Sequence, residues 1–532
     1  MKHFSKRLLA GVAFGLMASV VTVSMAATPN DQLVIGTSLA QVLSLDPQQG
    51  TEVKAQEILA NVYDRLISFD SKTNELQGQL AESWDVDDTG ITFHLRDAKF
   101  ASGNPVTAAD VVFSLTRLFK LDQSAAAGLK TFGYNADTVE TLITAVDDKT
   151  VRVELTDAVV PDALLYRLSG GVGSVVDSVE VLKHVANDDY GNEWLRTNTA
   201  GSGPFVLRRW TPNDIVLLEA NANFWGTAPT MKRVIFRHVP ESQAARLMLE
   251  RGDIDIANAL TAADVRFFDG KDGFVIDQVK TGGFYALAMN AGHEALSNPL
   301  VRQAIAYGID YDGIGETILG PYGRPRNVPT PEDWPGAIAN PDWSFQPEKA
   351  RELLAEAGYP NGFSVTIKTI SQAPRVDMAT AIQANLAEIG ISASVQQGNG
   401  ADIVAAHRAR DFDLLIPQTS AADPTALGAI DNFTNNPDNS AEANNAGNFV
   451  WRSDWDITEM NALRMEANKE RDPAKREALV TELQEMFVAS SPAVLPMFER
   501  FEPIVVNARV QGYSGHPWSL TRVDAVTKTD AN

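Results

Sequence analysis

The sequence predicts an α/β protein of more than one domain, and three observations carry that expectation. At 532 residues the chain is too long for a single hydrophobic core, so two or three domains are expected. Its composition, 44% hydrophobic and 21% charged, is that of an ordinary globular protein. Between residues 347 and 417 the apolar period alternates between 3.6 and 2, the pattern of β-α-β units on a parallel sheet.

Taken in order, the chain opens with Lys2, Lys6 and Arg7, an uncharged apolar stretch from Leu8 to Val23, and then Ser24-Met25-Ala26-Ala27. This reads as a secretory signal over 1–26, cut after Ala26. A membrane anchor is the weaker reading, because the apolar run is short and rich in small residues. Removing the three basic residues takes the formal charge from −23 to −26, which argues against nucleic acid and anionic membranes as partners. The chain has no cysteine, so there is neither a disulfide nor a thiol to carry a lipid. A freely diffusing periplasmic protein, not a lipoprotein, is expected.

Leu33-Val34-Ile35 starts a strand, and residues 55–67 place Ile58, Val62 and Leu66 at helical spacing. ESWDV and ITFHL flank the turn Asp87-Asp88-Thr89-Gly90 as a hairpin, and Thr107 with Asp110 forms a capping box before a helix. A second hairpin over 203–219 turns at Pro212-Asn213-Asp214, and a strand from Val234 passes into a helix ending near Glu250. From Pro347 the segments read as a helix stopped by Gly358, a strand (Phe363, Val365, Ile367 inward) and a helix from Arg375 to Ile389. A strand ISASVQ, a helix over 401–409 and a strand FDLLI follow. In such sheets ligands bind beyond the carboxyl ends of the strands. Two loops meet that description: one places Arg375, and PQTSAAD places Asp423, one cationic and one anionic on the same sheet edge.

No catalytic constellation emerges. The seven histidines form no close ligand pair, no GxSxG elbow or P-loop is present, and Gly171-Val172-Gly173 lacks the third glycine of a dinucleotide loop, where Val176 stands. No enzyme, no cofactor and no metal are therefore expected. Each candidate also has a plainer reading. Asp423 could simply cap a helix, and Arg375 could be a first-turn surface arginine. Phe284 and Tyr285 could be packing residues, and Trp451 a core tryptophan.

Segments 80–118 (LAESWDVDDTGITFHLRDAKFASGNPVTAADVVFSLTRL), 200–225, 298–310, 347–359 and 382–391 together resemble the peptide/nickel family, family 5, of extracytoplasmic solute-binding proteins of ABC importers. The likeness runs in order along the whole chain after the signal. It implies a two-lobed periplasmic-binding-protein fold with a hinge of two crossover segments, near Gly282-Gly283-Phe284-Tyr285 and Leu495-Pro496-Met497. The base of the first lobe takes 27–68, 197–285 and 499–532, a subdomain inserted in it takes 69–196, and the second lobe takes 286–498.

The resemblance implies an aspartate for a ligand ammonium, matched by Ala422-Asp423-Pro424, and an arginine for a ligand carboxylate, for which Arg375 is nearest. It implies backbone contacts from Ser38, Leu39 and Ala40. Dipeptide binders often carry a tryptophan before the aspartate, where Gln418, Thr419 and Ser420 stand here, so the ligand can be longer than a dipeptide or not a peptide. Phe284, Tyr285 and Trp451 complete the candidate lining, and His407 and His516 are candidates only for a metal-chelate ligand. The implied function is a monomeric periplasmic receptor that hands a di- or oligopeptide-like solute to an inner-membrane ABC permease and its ATPase. A nickel chelate, haem, opine or oligosaccharide is the alternative cargo. A secreted hydrolase and a chaperone side-activity are the readings from other classes.

Overall fold

The structure is a computed structural model that describes residues 28–530 apart from 71, 72, 74, 157, 158 and 422. The signal-peptide reading over 1–26 lies outside the described residues.

Two long strands organise the molecule. Phe274–Met289 and Val494–Asn507 pair antiparallel from Phe274↔Asn507 to Ala288↔Val494. They are the central pair of an 11-stranded sheet that continues on both sides. On one side lie Ile256–Ala257, Gln32–Thr37, Arg233–His238 and the hairpin Ile215–Ala220 with Phe205–Thr211. On the other lie Leu414–Leu415, Ser364–Ile370 and Ser392–Gly398, all parallel to one another. Both hairpins and the β-α-β-α-β run therefore form where the sequence periods place them.

The buried side chains fall into clusters that follow this plan. Leu287, Ile305, Ile367, Ile382 and Leu414 belong to one core of the second lobe, and Phe284, Phe433, Trp455 and Phe487 to another. Leu33, Ile35, Tyr63, Phe205 and Phe236 form the base of the first lobe. A fourth core, with Phe93, Val111, Leu115 and Tyr134, backs the four-stranded antiparallel sheet of the insert. Val175 packs into the insert whereas Val176, Val181 and Leu195 pack into the base.

The helix of the insert, Ala108–Lys120, opens on the capping box: the Thr107 N–H donates to Asp110 Oδ2 at 2.9 Å. Asp110 is itself buried and its other oxygen accepts from Ser178 N at 3.0 Å, so the cap also ties this helix to the chain returning from the insert.

One expectation is corrected. The helical run over 55–67 stops at Leu59, the end of the helix Val53–Leu59, although Val62 and Leu66 are buried as their spacing suggests. Past that point the carbonyls are claimed from outside. Asn61 O accepts from Phe205 N (3.0 Å), Val62 O from Gly203 N (2.9 Å), Asp64 O from Val175 N (2.9 Å) and Arg65 O from Leu80 N (3.0 Å). Long-range strand-like bonds have replaced the i→i+4 bonds that would have continued the helix.

Candidate functional site

The parallel strands Ser364–Ile370 and Leu414–Leu415 are direct neighbours, with Ile367↔Leu414 and Lys368↔Leu415 in register. Their carboxyl ends therefore open on the same edge, and the loops that follow carry Arg375 and the stretch 417–425. Arg375 is the first residue of the helix Arg375–Glu388. The second loop is sewn to the first crossover strand. Thr419 N donates to Phe284 O at 2.8 Å, Phe284 N donates to Thr419 Oγ1 at 2.9 Å, and Ala286 N donates to Pro417 O at 3.2 Å. Thr419 is thereby turned inward, and its neighbours Gln418 and Ser420 are exposed.

The crossover must come very close for this to happen. A Cβ on Gly283 would stand 2.2 Å from Thr419 O, and Gly282 adopts φ +66° under the Trp334 ring. Gly283→Ala is expected to push the loop outward, lowering stability by about 1–3 kcal/mol and weakening ligand binding. Gly400→Ala, at a position with open space around it, is the control, and the denaturation midpoints of the two variants make the comparison.

Asp423 ends this loop. Its Oδ1 accepts from Thr425 N at 3.1 Å and from the Thr425 hydroxyl, and Thr425 Oγ1 in turn accepts from Gly428 N at 3.1 Å, capping the helix Ala426–Thr434. Thr425 is thus the cap, and Asp423 orients it. Oδ2 of Asp423 has no hydrogen-bond partner among the described residues. Burial pushes the carboxyl up from its ordinary range, against the opposing pull of its Thr425 hydrogen bonds and of Arg167.

Asp423 lies on the wall of a cavity of about 1140 Å³ between the lobes. Tyr166 and Arg167, on the insert helix Pro161–Ser169, form the facing wall, and Trp334, Leu427 and Arg464 stand on the side of Asp423. Arg167 Nε is buried without a hydrogen-bond partner. Ion pairs close the rim from lobe to lobe: Arg476 Nη2 to Asp162 at 2.7 Å and Arg471 Nη1 to Asp88 at 3.0 Å.

Further along the same loop, Arg500 of the second crossover strand donates to Ser420 Oγ at 3.4 Å, while its Nε is buried without a partner. Tyr285 is bridged to Gln418, and burial raises its phenol. Arg375 and Arg500 both act electrostatically on Tyr285, Glu502 acts on Arg500 and on Tyr285 in turn, and among the described residues neither guanidinium has a carboxylate within ion-pair distance. Desolvation lowers both arginines.

The remaining candidates lie elsewhere. Ser38 is half-buried and Ala40 exposed, whereas the Leu39 side chain is in the base core and its N–H donates to His238 Nδ1 at 2.9 Å. Phe284 is fully buried against Phe433 in the second lobe. Trp451 is not on the cavity wall: its Nε1 donates to Ser440 O at 2.9 Å, and the Arg410 guanidinium stacks 3.9 Å from its ring. His407 and His516 are each held down to about 3 by burial, with Arg452 and Arg65 respectively adding to the effect. Neither joins a group of metal-ligating side chains among the described residues.

Arg167, Trp334 and Arg500 were missed from sequence. For Arg500 a signal existed: Glu499, Arg500 and Glu502 interrupt an otherwise apolar strand, and charges in such a run are rarely idle.

Two α/β lobes on one shared sheet, two strands crossing between them and a charged cavity in the gap define a two-lobed solute-binding protein. The chain belongs to the bacterial extracellular solute-binding proteins, family 5, whose model for the middle region matches residues 75–441. It is 29% identical over 512 residues to the probable D,D-dipeptide-binding periplasmic protein DdpA of Escherichia coli K12, covering 94% of this chain and 95% of that one. It is 27% identical over 392 residues to the glutathione-binding protein GsiB of Pectobacterium atrosepticum, covering 72% of each. Its fold is similar to that of the ABC transporter-associated periplasmic binding protein DppA from Helicobacter pylori in complex with the peptide STSA. The TM-score is 0.76 at 25% identity, over 94% of this chain and 98% of that one. The resemblance read from the sequence is therefore borne out at the level of the family and of the two-lobed fold.

Proposed function

We propose that this chain is a periplasmic receptor that captures a short peptide or peptide-like solute between its lobes and delivers it to an inner-membrane ABC permease and its ATPase. It performs no chemistry on its cargo and works as a monomer. The observation that carries the reading is Asp423, a half-buried carboxylate on the wall of the interlobe cavity with one oxygen unclaimed among the described residues. A ligand ammonium fits that position, because a desolvated charge without a partner is costly and a partner removes the cost. The names of the relatives support peptide cargo, and a cavity of about 1140 Å³ has room for more than two residues.

Closure follows from the crossovers. Their pairing shifts register between Lys280 and Phe284 and again between Tyr285 and Ala286, where the ladder is weakest and bending costs least. A ligand touching both walls binds the closed form better than the open one and shifts the population toward it. We place the boundary between insert and base on the return strand at Val175–Val176, where the packing changes sides.

Mass spectrometry of the small molecule that co-purifies, followed by a thermal-shift series of di- and tripeptides, tests the reading. A ligand at about 100 times its dissociation constant adds roughly 2.7 kcal/mol to stability, a rise of several degrees in Tm. Peptides that produce no shift, or that are cleaved on incubation, would overturn it, the latter in favour of a hydrolase.

A further inference from the structure

Trp334 stands where the cavity wall meets the first crossover strand. It lines the cavity, and among the described residues no other of the chain's nine tryptophans does. Its six-membered ring also lies against Gly282, where a Cβ would stand 2.8 Å from Trp334 Cη2 and 3.0 Å from the Ala421 Cβ. Gly282 is thus closed in by Trp334 and by the loop that carries Asp423.

Gly282 is also where the crossover can bend. The ladder between the two crossover strands runs through Lys280↔Phe501 and resumes at Phe284↔Glu499, so Thr281, Gly282 and Gly283 face Arg500 alone. Gly282, the middle of the three, has φ +66°, a conformation that other residues adopt with strain. A lobe rotation concentrated in these residues leaves the paired stretches on either side intact.

The loop around Trp334 is fastened across the same bend. Gln484, on the second-lobe helix Pro473–Ala489, holds both ends of the loop, donating to Gly336 O at 2.7 Å and accepting from the Thr330 hydroxyl. The acids of the loop reach the crossovers. Asp333 pairs with Lys280, just before the unpaired three. Arg324 pairs with Glu332 at 2.9 Å and with Glu499, opposite Phe284 and just after them, at 2.9 Å. Rotation at Gly282 therefore draws Lys280 and Gly282 away from a loop that stays with the second lobe. The Trp334–Gly282 contact and the Lys280–Asp333 pair belong to one hinge angle. The pair is about half exposed and contributes little by itself, so the ring is the stronger of the two ties.

Resting on the peptide reading above, we propose that Trp334 is the positioning residue that couples the guest to the hinge. An apolar side chain of the peptide packs on the indole within the cavity, where Leu427 and Pro335 extend the apolar wall, while the same ring holds Gly282 in its closed conformation. Each contact favours the angle that the other needs, so filling the cavity shifts the population toward the closed form.

The test uses the ligand-free mature protein with the dipeptides Leu-Ala and Ala-Ala. Titration calorimetry reads affinity, and small-angle X-ray scattering reads compaction at saturation. The wild type is expected to bind Leu-Ala about fivefold or more tighter than Ala-Ala. Trp334→Ala should weaken Leu-Ala about tenfold or more, erase that preference, and retain less than about half of the wild-type decrease in radius of gyration. A residue that merely touches peptide would lose affinity and keep full compaction at saturation. One that merely packs its loop would lower Tm and leave affinity and compaction as they are. Trp334→Phe keeps an aromatic ring beside Gly282 and should restore compaction, while removing most of the peptide-induced change in tryptophan emission. Trp334→Leu takes the place of the alanine variant if that one fails to fold. A wild-type ratio near one, full compaction in the alanine or leucine variant, or an affinity there within twofold of wild type overturns the inference and leaves the receptor reading intact. A wild type that binds neither dipeptide, when a co-purified non-peptide solute binds, overturns both.

Discussion

Asp423→Asn is expected to cost peptide affinity heavily while making the empty receptor more stable. Asparagine keeps an oxygen for Thr425 N and for the Thr425 hydroxyl, so the cap on the helix Ala426–Thr434 survives and only the charge is lost. Removing one partner of a buried charge pair costs about 2–5 kcal/mol, roughly 30- to several-thousand-fold in dissociation constant. N-acetylated peptides, which have no ammonium, should bind wild type and variant alike. The stability effect has the opposite sign. Burial raises the folded-state pKa of Asp423, so the ionised form is worse placed in the folded protein than in the unfolded one. The penalty is present at neutral pH and disappears as the pH falls through the raised pKa. The ligand-free variant should therefore exceed wild type by about 0.5–2 kcal/mol at pH 7, with the gap closing toward pH 4. Titration calorimetry and melting curves from pH 4 to 7 check both halves. Equal losses for free and acetylated peptides would show that Asp423 does not meet an ammonium.

Arg117→Ala is expected to be the most damaging single change to the fold away from the cavity. Arg117 and Asp46 are both fully buried, and the guanidinium meets the carboxylate twice, Nη1 to Oδ1 at 2.9 Å and Nη2 to Oδ2 at 2.6 Å. Gln48 N donates to Oδ1 at 3.1 Å and Asn192 Nδ2 to Oδ2 at 2.7 Å. Arg117 belongs to the insert helix Ala108–Lys120 and Asp46 to a loop that Leu45 anchors in the base, so the pair fastens one unit to the other. Alanine strands a carboxylate in the interior, at a cost of about 3–5 kcal/mol. Adding Asp46→Leu to an Arg117→Met background removes both charges and should recover much of that loss. Denaturant midpoints decide: a shift below about 1 kcal/mol for Arg117→Ala would mean that water reaches Asp46. Peptide affinity of the folded fraction should change little, since neither residue is on the cavity wall.

The legible parts of the sequence were those in which one period ran undisturbed. The helices and strands from Pro347 to Leu415 form within a residue or two of expectation, because apolar spacing, Gly358 and Gly390 act within a few residues of themselves. The same method overran at 55–67, where the spacing was right and the backbone partners were not. Helical spacing identifies the residues that are buried but is silent on which strand will claim their carbonyls.

By itself the sequence determined the parallel unit of the second lobe and, with it, that Arg375 and Asp423 follow strands whose carboxyl ends share one sheet edge; that those two strands are direct neighbours came from the structure. It also carried the family. The tertiary structure alone decided what faces them: Arg167 from the insert, Trp334 from a loop of the second lobe, and Arg500 from the last crossover. These come from stretches up to about 330 residues apart, and no local period encodes which distant side chains meet. Local geometry repeats every two or 3.6 residues and can be read, whereas the charge balance of a cleft is set only when the lobes have packed around it.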